Sequence, residues 1–375
     1  MKRLFKAAIV LSLAVLSVFS ISCAKGAEEV TPVSLGIPTE KTVRFGVPRS
    51  PWDMIYYDGR LYIGNGDYTD NTGPITVWSY NPENGSWTDT GSLPDEAITK
   101  FKIINGALTA TGTDPIDGWE LGNYYKYENG EWSVIRSIPE GVHNFDLEEY
   151  DGKIFASLGV PEGQYPIAVS EDGGKTFRQV TMYKNGTPLD THGYESVRSY
   201  NIFKFKDELY ISYFGRGDRS TVYELYKYEN DVFVYQRDLS KEIGHMNVSQ
   251  ATYLADVEYK DKYFIATGYM FVTEDMKEFK YMRFKNSDIV YDFIVKNDKL
   301  YCLTGYKAED GKFRISVYEN DTGKESKFRE IFYFYYDAPC VSFEYGDGSF
   351  YIGIGSVTAS YMQNGEILKV DFDIT

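Results

Sequence analysis

One hairpin unit recurs along the chain, and this repeat restricts the fold more than any other feature of the sequence. Each copy has an apolar strand, a tight polar turn and a second strand that ends in small residues. The pairs Asp58-Gly59, Asn105-Gly106 and Asp151-Gly152 are of the kind that two-residue hairpin turns require. The copies are spaced by about 48 residues and cover 52–66, 99–112, 145–159, 200–215, 255–268, 291–305 and 341–355.

A second hairpin with an aromatic outer strand follows the first, as in "YYKYENGEWSVIR" at 124–136. Each repeat therefore holds four strands, and repeats of this length with four strands are typical of propeller blades. The 34 Tyr, 23 Phe and 34 Gly residues fit half-buried strands and tight turns. The sequence predicts an all-β protein with a seven-bladed β-propeller over 42–375, with four antiparallel strands per blade. A β-sandwich would not explain the constant internal order of the repeat.

The first 22 residues have a basic start and an apolar run too short to span a bilayer, as in a signal peptide. The segment "SISC" ending at Cys23 resembles a bacterial lipoprotein signal, although Ser20 replaces the usual Leu. The resemblance implies lipidation of Cys23, export to the bacterial cell envelope and membrane contact only through that anchor. Residues 23–41 are then a tether. The alternative is an ordinary secretory signal cleaved near Ala24–Ala27.

Charge and cysteine content exclude two classes of protein. Removal of the leader takes away Lys2, Arg3 and Lys6 and no acidic residue, which changes the net charge from −16 to −19. Such a surface repels phosphate backbones, so we expect no nucleic acid partner. Only Cys302 and Cys340 remain after Cys23, too few for a disulfide scaffold, and they form either one bridge or two buried thiols.

The segment "SEDGGKTF" at 170–177 resembles the Asp-box of BNR-like β-propeller proteins, with Phe177 in place of the usual Trp. It falls between the third and fourth strands of its repeat. We therefore expect Asp172 to bind backbone amides and Phe177 to pack between blades. Sialidases carry this box, but their Phe/Tyr-Arg-Ile-Pro segment is missing here. The segments "GNGDY…NTGP" and "TDPIDGWELGNYY" also look like parts of exported bacterial propeller lipoproteins of unknown function, which implies fold and export, not a reaction.

The histidines are the first candidates for chemistry. His143, His192 and His245 lie in loops that enter three consecutive repeats, so we expect them on one face near the mouth of a central channel. His192, Tyr194 and Arg198 resemble the His/Tyr/Arg set of propeller ulvan lyases in residue types only. A lyase needs a base, an acid and a neutralised carboxylate, and the other two histidines could assist. A Zn²⁺ site and ordinary polar loops are the alternatives.

Other polar and aromatic residues are candidates for ligand binding on the same face. Tyr68 and Trp119 could stack on sugar rings, and Arg216 and Arg219 could bind a carboxylate. The loop residues Asp67, Asp70, Asn71, Asp114 and Asp117 could bind Ca²⁺ or sugar hydroxyls, or simply form turns. Aligned inner-strand positions hold Asp53, Lys100, Asp146, Asn201, Asp292 and Ser342, with Asp256 adjacent to the equivalent Ala255. These residues either line the channel and hold water or Ca²⁺, or fix backbone amides at the strand entrance.

The sequence thus predicts an exported propeller that binds an extracellular ligand on its His-bearing loop face, with a glycan as the first choice and a protein as the second. The alternative is a polysaccharide lyase or glycoside hydrolase that uses His, Tyr and Arg on that face. The sequence does not decide whether the protein is an enzyme, and it leaves both Ca²⁺ and Zn²⁺ open as cofactors.

Overall fold

The computed structural model of the protein describes residues 26–67, 69, 71–217, 221–243, 255–284 and 289–374. The chain is all-β, as predicted, and it has a propeller-like architecture. No helix of these ranges is both long and apolar enough to cross a membrane. Five residues assigned a role from the sequence lie outside the described residues, namely Cys23, Tyr68, Asp70, Arg219 and His245.

The strands follow one another as four-stranded antiparallel units, which we number in chain order. Two short strands come first, β1 (Glu28–Glu29) and β2 (Val33–Ser34). Unit one contains β3 (Asp53–Tyr57), β4 (Arg60–Gly64), β5 (Ile75–Asn81) and β6 (Ser86–Leu93). Unit two contains β7 (Asp95–Ile104), β8 (Ala107–Pro115), β9 (Leu121–Glu128) and β10 (Glu131–Pro139). Unit three contains β11 (His143–Tyr150), β12 (Lys153–Val160), β13 (Ile167–Ser170) and β14 (Arg178–Gln179).

A small hairpin of β15 (Met182–Lys184) and β16 (Thr187–Pro188) precedes unit four, and β15 pairs in parallel with the outer strand of that unit. Unit four contains β17 (Tyr194–Phe205), β18 (Glu208–Gly217), β19 (Thr221–Glu229) and β20 (Val232–Asp238). Unit five contains β21 (Ala255–Tyr259), β22 (Lys262–Ala266), β23 (Met270–Thr273) and β24 (Lys280–Met282). Unit six contains β25 (Ile289–Lys296), β26 (Lys299–Lys307), β27 (Phe313–Asn320) and β28 (Arg329–Tyr336). Unit seven contains β29 (Cys340–Gly346), β30 (Ser349–Ile354) and β31 (Ile367–Asp371), and β2 is its outer strand.

Helical structure in the described ranges is limited to short segments. The α-helix is Ser240–Ile243, and the 3-10 helices are Pro38–Lys41, Val47–Arg49 and Glu325–Lys327.

The hairpin turns have the backbone conformation that their residues favour. Asp58 and Gly59 have φ angles of 46° and 71°, and Asn105 and Gly106 have φ angles of 50° and 76°. Two successive residues with positive φ form the hairpin turn that matches the twist of the flanking strands. The Asp-Gly and Asn-Gly pairs therefore fix the register of the first two strands in units one, two, three and seven, and pairs such as Asn297-Asp298 adopt the same positive φ angles in the other units.

Neighbouring units pack through their first strands, and unit seven packs against unit one. Ser342 Oγ donates a hydrogen bond to the Pro51 carbonyl oxygen at 2.5 Å. The backbone N–H of Tyr56 donates to Glu344 Oε2 at 3.3 Å, and the Tyr56 ring stacks on Tyr351 with centroids 6.4 Å apart. These contacts join the last unit to the first through side chains and not through strand pairing.

The N-terminal segment differs from the expected tether. Glu28–Glu29 pairs in parallel with the outer strand of unit six, and Val33–Ser34 pairs antiparallel with β31 of unit seven. Both short strands cover outer edges whose backbone groups would otherwise lack strand partners. Residues 42–47 form no strand, and Val43 is buried in the core of units one and two.

Cys302 and Cys340 are both buried, and no disulfide joins them. Cys302 lies on β26 of unit six and Cys340 begins β29 of unit seven. Of the two alternatives left by the sequence, two buried thiols is the one observed.

Candidate functional site

Two adjoining cavities open where the first strands begin, at the end of the units that carries the inter-unit loops. The larger cavity has a volume of about 280 Å³ and lies between units five, six and seven. Its aromatic walls are Trp52, Tyr291, Phe313 and Tyr361, and its hydroxyl groups come from Thr267, Ser356 and Thr358. We call this cavity the mouth pocket.

The second cavity, of about 140 Å³, lies between the first strands. We call it the channel cavity. Its charged and polar wall consists of Asp53, Thr99, Lys100, Asp256 and Asp292. Trp52, Tyr291 and Val341 line both cavities, so the channel cavity continues the mouth pocket towards the centre of the molecule.

The inner carboxylates hold backbone amides, as one of the sequence interpretations required. Asp53 Oδ1 accepts from the N–H of Met54 at 2.9 Å, and its Oδ2 accepts from Phe101 of unit two at 2.6 Å. Asp292 of unit six has the same arrangement. It accepts from the backbone N–H of Phe293 at 2.8 Å and from that of Phe343 in unit seven at 3.0 Å. Each of these carboxylates thus links the first strands of two neighbouring units.

The depth of the channel cavity changes the acidity of its carboxylates. Burial raises the pKa of Asp53 to about 6, although the amide of Phe101 and the nearby Lys100 partly oppose this. Burial also raises the pKa of Asp292 well above its ordinary value, and the charge of Asp53 adds to that effect. The pKa of Asp256 is raised by burial too. These groups are therefore easier to protonate than ordinary aspartates.

The lysines beside the channel are directed at carboxylates of unit three. Lys100 Nζ and Lys102 Nζ each lie 3.4 Å from an oxygen of Asp146, and Lys102 also lies 3.2 Å from Glu148 Oε2. Burial alone would lower the pKa of Lys100, but Asp146 and Asp256 raise it overall. Both ammonium groups are therefore charged and already paired at neutral pH.

His143 lies in a partly buried cluster at the junction of units two, three and four. Its Nδ1 is 3.1 Å from Asp114 Oδ1, and its ring stacks on Phe145 with centroids 5.5 Å apart. Arg198 also lies over the Phe145 ring, with its guanidinium carbon 5.7 Å from the ring centroid. Burial lowers the pKa of His143, and Arg198 lowers it further against the opposing effect of Asp114. His143 is therefore neutral at pH 7.

The structure does not bring the whole His/Tyr/Arg set together. The His192 side chain is 77% exposed, and its Nδ1 is 2.9 Å from Asp190 Oδ1. Tyr194 and Arg198 are four residues apart on β17, about 13 Å at the usual rise of a strand. No hydrogen bond or ion pair among the described residues joins His192, Tyr194 and Arg198. The proposed pairing of these three residues as acid, base and carboxylate clamp is therefore not seen.

The other predicted ligand-binding residues lie on exposed loops and edges. Trp119 is 65% exposed in the loop between β8 and β9. Arg216 is on β18, where its guanidinium is 3.7 Å from Glu195 Oε2. Neither residue lines the mouth pocket or the channel cavity.

The segment 170–177 forms a closed polar turn at the opposite end of its unit. Asp172 accepts from the backbone N–H of Thr176 at 2.9 Å and from its hydroxyl at 2.7 Å. These bonds lower the pKa of Asp172 to about 2. Phe177 packs edge-on against Tyr124 of unit two, with centroids 5.9 Å apart. The contacts are those of a structural turn, as expected from the sequence.

Metal binding has no preformed set of ligands in the part of the chain that the structure describes. No group of three or more His, Cys, Asp or Glu side chains there is placed to hold a metal ion. The hypothesis of a three-histidine Zn²⁺ site also needs His245, which lies outside the described ranges.

The aromatic residues of the mouth pocket were not selected from the sequence. A signal for two of them exists, because Trp52 and Tyr291 each immediately precede an aligned inner aspartate, Asp53 and Asp292. Phe313 begins β27 of unit six and Tyr361 lies in the loop between β30 and β31 of unit seven, and no spacing in the sequence links them to the first two.

The sequence matches no protein-family model and no curated protein. Among solved structures, a chain from the crystal structure of a mitotic checkpoint complex is similar at a TM-score of 0.55 and 9% identity, covering 98% of this chain and 100% of that chain. This likeness shows the fold alone, that of a propeller. Sqt1 from Saccharomyces cerevisiae is similar at a TM-score of 0.48 and 10% identity, covering 93% of this chain and 100% of that chain.

A GH43 β-xylosidase/α-arabinofuranosidase from a compost microbial metagenome, CoXyl43 in complex with xylotriose, has a TM-score of 0.38 and 13% identity. The match covers 81% of this chain and 98% of that chain. At this level of similarity its activity carries no argument for the present chain.

Proposed function

We propose that the protein is an exported, lipid-anchored, seven-bladed β-propeller that binds a glycan in the mouth pocket. The observation that carries the proposal is the combination of the Tyr291, Phe313 and Tyr361 rings with the hydroxyls of Thr267 and Thr358 in one cavity of about 280 Å³. Concave sites that join aromatic faces to a few polar groups are typical of small-ligand pockets. Sugar rings present apolar C–H faces to aromatic rings and hydroxyls to polar groups.

The blade count rests on two features of the described residues. Units one to seven share one strand order, and side-chain contacts such as Tyr56 with Tyr351 join unit seven to unit one. We take each unit as one blade. Export and the anchor rest on the leader and Cys23 in the sequence.

A panel of oligosaccharides, assayed by calorimetry for binding and by chromatography for products, tests the proposed function. Tyr361→Ala should weaken binding at least ten-fold, because the ring forms one wall of the pocket and contacts Phe313 edge-on at 5.7 Å. Tyr335→Ala is the matched control, since Tyr335 is a half-exposed tyrosine on the outer strand of unit six. Equal loss of affinity in both variants, or no binding by any oligosaccharide, contradicts the proposal.

A polysaccharide lyase or glycoside hydrolase is the second candidate, favoured by the closeness of His143 and Arg198. Both flank Gly159 on β12, since His143 pairs with it from β11 and Arg198 pairs with it from β17. A neutral imidazole can act as a base, and a guanidinium can neutralise a uronate carboxylate. Unsaturated or reducing ends in the same panel, lost in Arg198→Ala, would favour this function over binding alone.

A further inference from the structure

We infer that the ligand of the mouth pocket carries a free, protonated amine, which enters the channel cavity beside Asp53 and Asp292 while the rest of the ligand stays between the aromatic walls. The ligand class is a glycan with unacetylated amino sugars, such as a glucosamine oligosaccharide. This inference rests on the proposed glycan binding and narrows it to one substrate class.

The two cavities together have the shape that such a ligand requires. The aromatic mouth pocket of about 280 Å³ meets the charged channel cavity of about 140 Å³ at Trp52, Tyr291 and Val341. A ring held in the first cavity can therefore extend a small substituent into the second. Trp52 is held in place at this boundary by a hydrogen bond from its Nε1 to the Gly66 carbonyl oxygen at 2.6 Å.

The wall of the channel cavity favours a cation, because a bound ammonium group would lower the raised pKa values of its buried aspartates and so favour their ionised form. Its wall contains three carboxylates, Asp53, Asp256 and Asp292, and one ammonium group, Lys100. Lys100 is already 3.4 Å from Asp146, which also faces Lys102 at 3.4 Å. Among the described residues, Asp53 and Asp292 have no lysine, arginine or histidine within 4 Å, and backbone amides are their hydrogen-bond donors.

These two carboxylates keep unused acceptor capacity. Each oxygen of Asp53 and of Asp292 receives one amide hydrogen bond. A carboxylate accepts about four hydrogen bonds, so about two acceptor positions of each group are free for a donor in the cavity. An alkylammonium group offers three donors and a full charge, which are the complement of this wall.

A buried hydroxyl gives an independent indication of a ligand. Thr99 lines the channel cavity, is only 6% exposed, and its Oγ1 has no hydrogen-bond partner among the described residues. A buried hydroxyl without a partner is costly in a folded protein, so a polar group from a ligand would satisfy it. The Trp52 and Tyr291 rings at the boundary can add cation–π attraction for an ammonium group.

The surrounding groups favour an amine over a metal ion. A divalent cation prefers six or more oxygen ligands in a compact shell. The described residues contain no cluster of three or more ligating side chains with that arrangement. Lys100 on the same wall would also repel a divalent ion more strongly than a single ammonium group.

Three probes test the inference by calorimetry on the mature full-length protein. They are a glucosamine tetramer, its fully N-acetylated counterpart and 1,5-diaminopentane. We expect the free-amine tetramer to bind at least ten-fold more tightly than the acetylated one. Asp292→Asn should reduce this preference to less than about three-fold, because it removes one of the two carboxylates without a cationic partner.

Nonspecific attraction needs its own control, because the chain without its leader has a net charge of −19. Asp347→Asn removes the same charge in an exposed hairpin turn at the opposite end of unit seven, where φ is 50° and Asn is well tolerated. We expect this variant to keep the preference for the free amine. If Asp292→Asn does not fold, Asp53→Asn replaces it. Its ratio of affinities for the free-amine and acetylated tetramers is then compared with the ratio for the wild-type protein.

The outcomes separate the inference from the proposed function. Equal binding of both tetramers overturns the inference and leaves glycan binding in place. Binding of the diamine, reduced by Asp292→Asn, without binding of either tetramer supports the amine site and contradicts glycan binding. If the Asp347→Asn variant loses the preference as much as Asp292→Asn, the attraction is nonspecific and the inference is overturned.

Discussion

Asp53 of unit one accepts a hydrogen bond from the backbone N–H of Phe101 in unit two, at 2.6 Å. Asp292 and Phe343 repeat this bond between units six and seven at 3.0 Å. One carboxylate at an aligned position therefore fixes the first strand of its own unit and that of the next. The same two carboxylates border the channel cavity, so the residues that join the units are also those available to a ligand.

The first prediction concerns the pH dependence of stability that Asp53 introduces. Its pKa rises from 3.8 to about 6 on folding, so between these values the folded state binds more protons than the unfolded state. Stability from this group is therefore present at low pH and is lost as pH rises through about 6, by on the order of 2–3 kcal/mol. Denaturant unfolding at a series of pH values should show a smaller fall for Asp53→Asn than for the wild-type protein. Parallel pH profiles for the two proteins would contradict this expectation.

Asp172→Ala should lower the melting temperature and leave ligand affinity unchanged. The carboxylate accepts the backbone and side-chain hydrogen bonds of Thr176, and the turn lies far from the mouth pocket. Glu171→Ala in the same turn is the control, because Glu171 makes exposed ion pairs with Arg178 and Lys153 that contribute little. Scanning calorimetry gives the melting temperatures. A folded Asp172→Ala protein that has lost binding selectively would show that the turn has a functional role.

The two described histidines should behave differently when replaced by alanine. His143→Ala removes a ring that stacks on Phe145 and fills the space beside Gly159, where a Cβ would lie 2.5 Å from the histidine ring. We expect a loss of about 1–3 kcal/mol in the free energy of unfolding. His192→Ala should change it by less than about 0.5 kcal/mol, since this side chain is exposed. Equal effects in denaturant unfolding would mean that His143 does not occupy the described packing position.

The contact between the last and the first unit is tested at Gly346. A Cβ placed on Gly346 would lie 2.2 Å from Cγ of the Tyr56 ring, so Gly346→Ala should destabilise the fold by about 1–3 kcal/mol. Ser349→Ala, directly after the hairpin turn, is a control for a small change on the neighbouring strand, with an expected loss of about 1 kcal/mol for its hydrogen bond to Asp371. When Gly346→Ala is combined with Tyr56→Ala, the two losses of stability should be strongly non-additive, because the two residues are in contact. Strict additivity in a double-mutant cycle would contradict the packing of unit seven on unit one.

The lipid anchor is tested by Cys23→Ser. If Cys23 is lipidated, the variant should appear in the soluble fraction of the cell envelope while the wild-type protein stays with the membranes. Metabolic labelling with a fatty acid analogue should mark only the wild-type protein. A wild-type chain found free of membranes and unlabelled would end the anchor hypothesis.

The strands were predictable because local chemistry dictates them. Pairs such as Asp58-Gly59 adopt positive φ at both residues, and this alone sets where each hairpin turns and which residues face each other. The turn at Asp172 was predictable for the same reason, since all its polar partners lie within six residues.

The candidate site was less predictable because it depends on distances between repeats. Phe313 and Tyr361 line the same cavity as Trp52 only because the folded units bring the three residues together, and no local sequence pattern predicts this arrangement. The repeat likewise predicts that His143 and His192 enter successive units, but it does not predict the directions of their side chains. His143 packs against Phe145, whereas His192 extends into solvent, so the expected acid–base set did not form.

The pairing of β1 with the outer strand of unit six has a consequence for orientation at a membrane. Five residue steps lead from Cys23 to Glu28 in the sequence, and they reach at most about 18 Å. A lipid on Cys23 would therefore hold the rim of the molecule, and neither of its faces, close to the bilayer. If the molecule is held edge-on in this way, its mouth pocket would open sideways along the membrane plane, towards polymers that lie parallel to the cell surface.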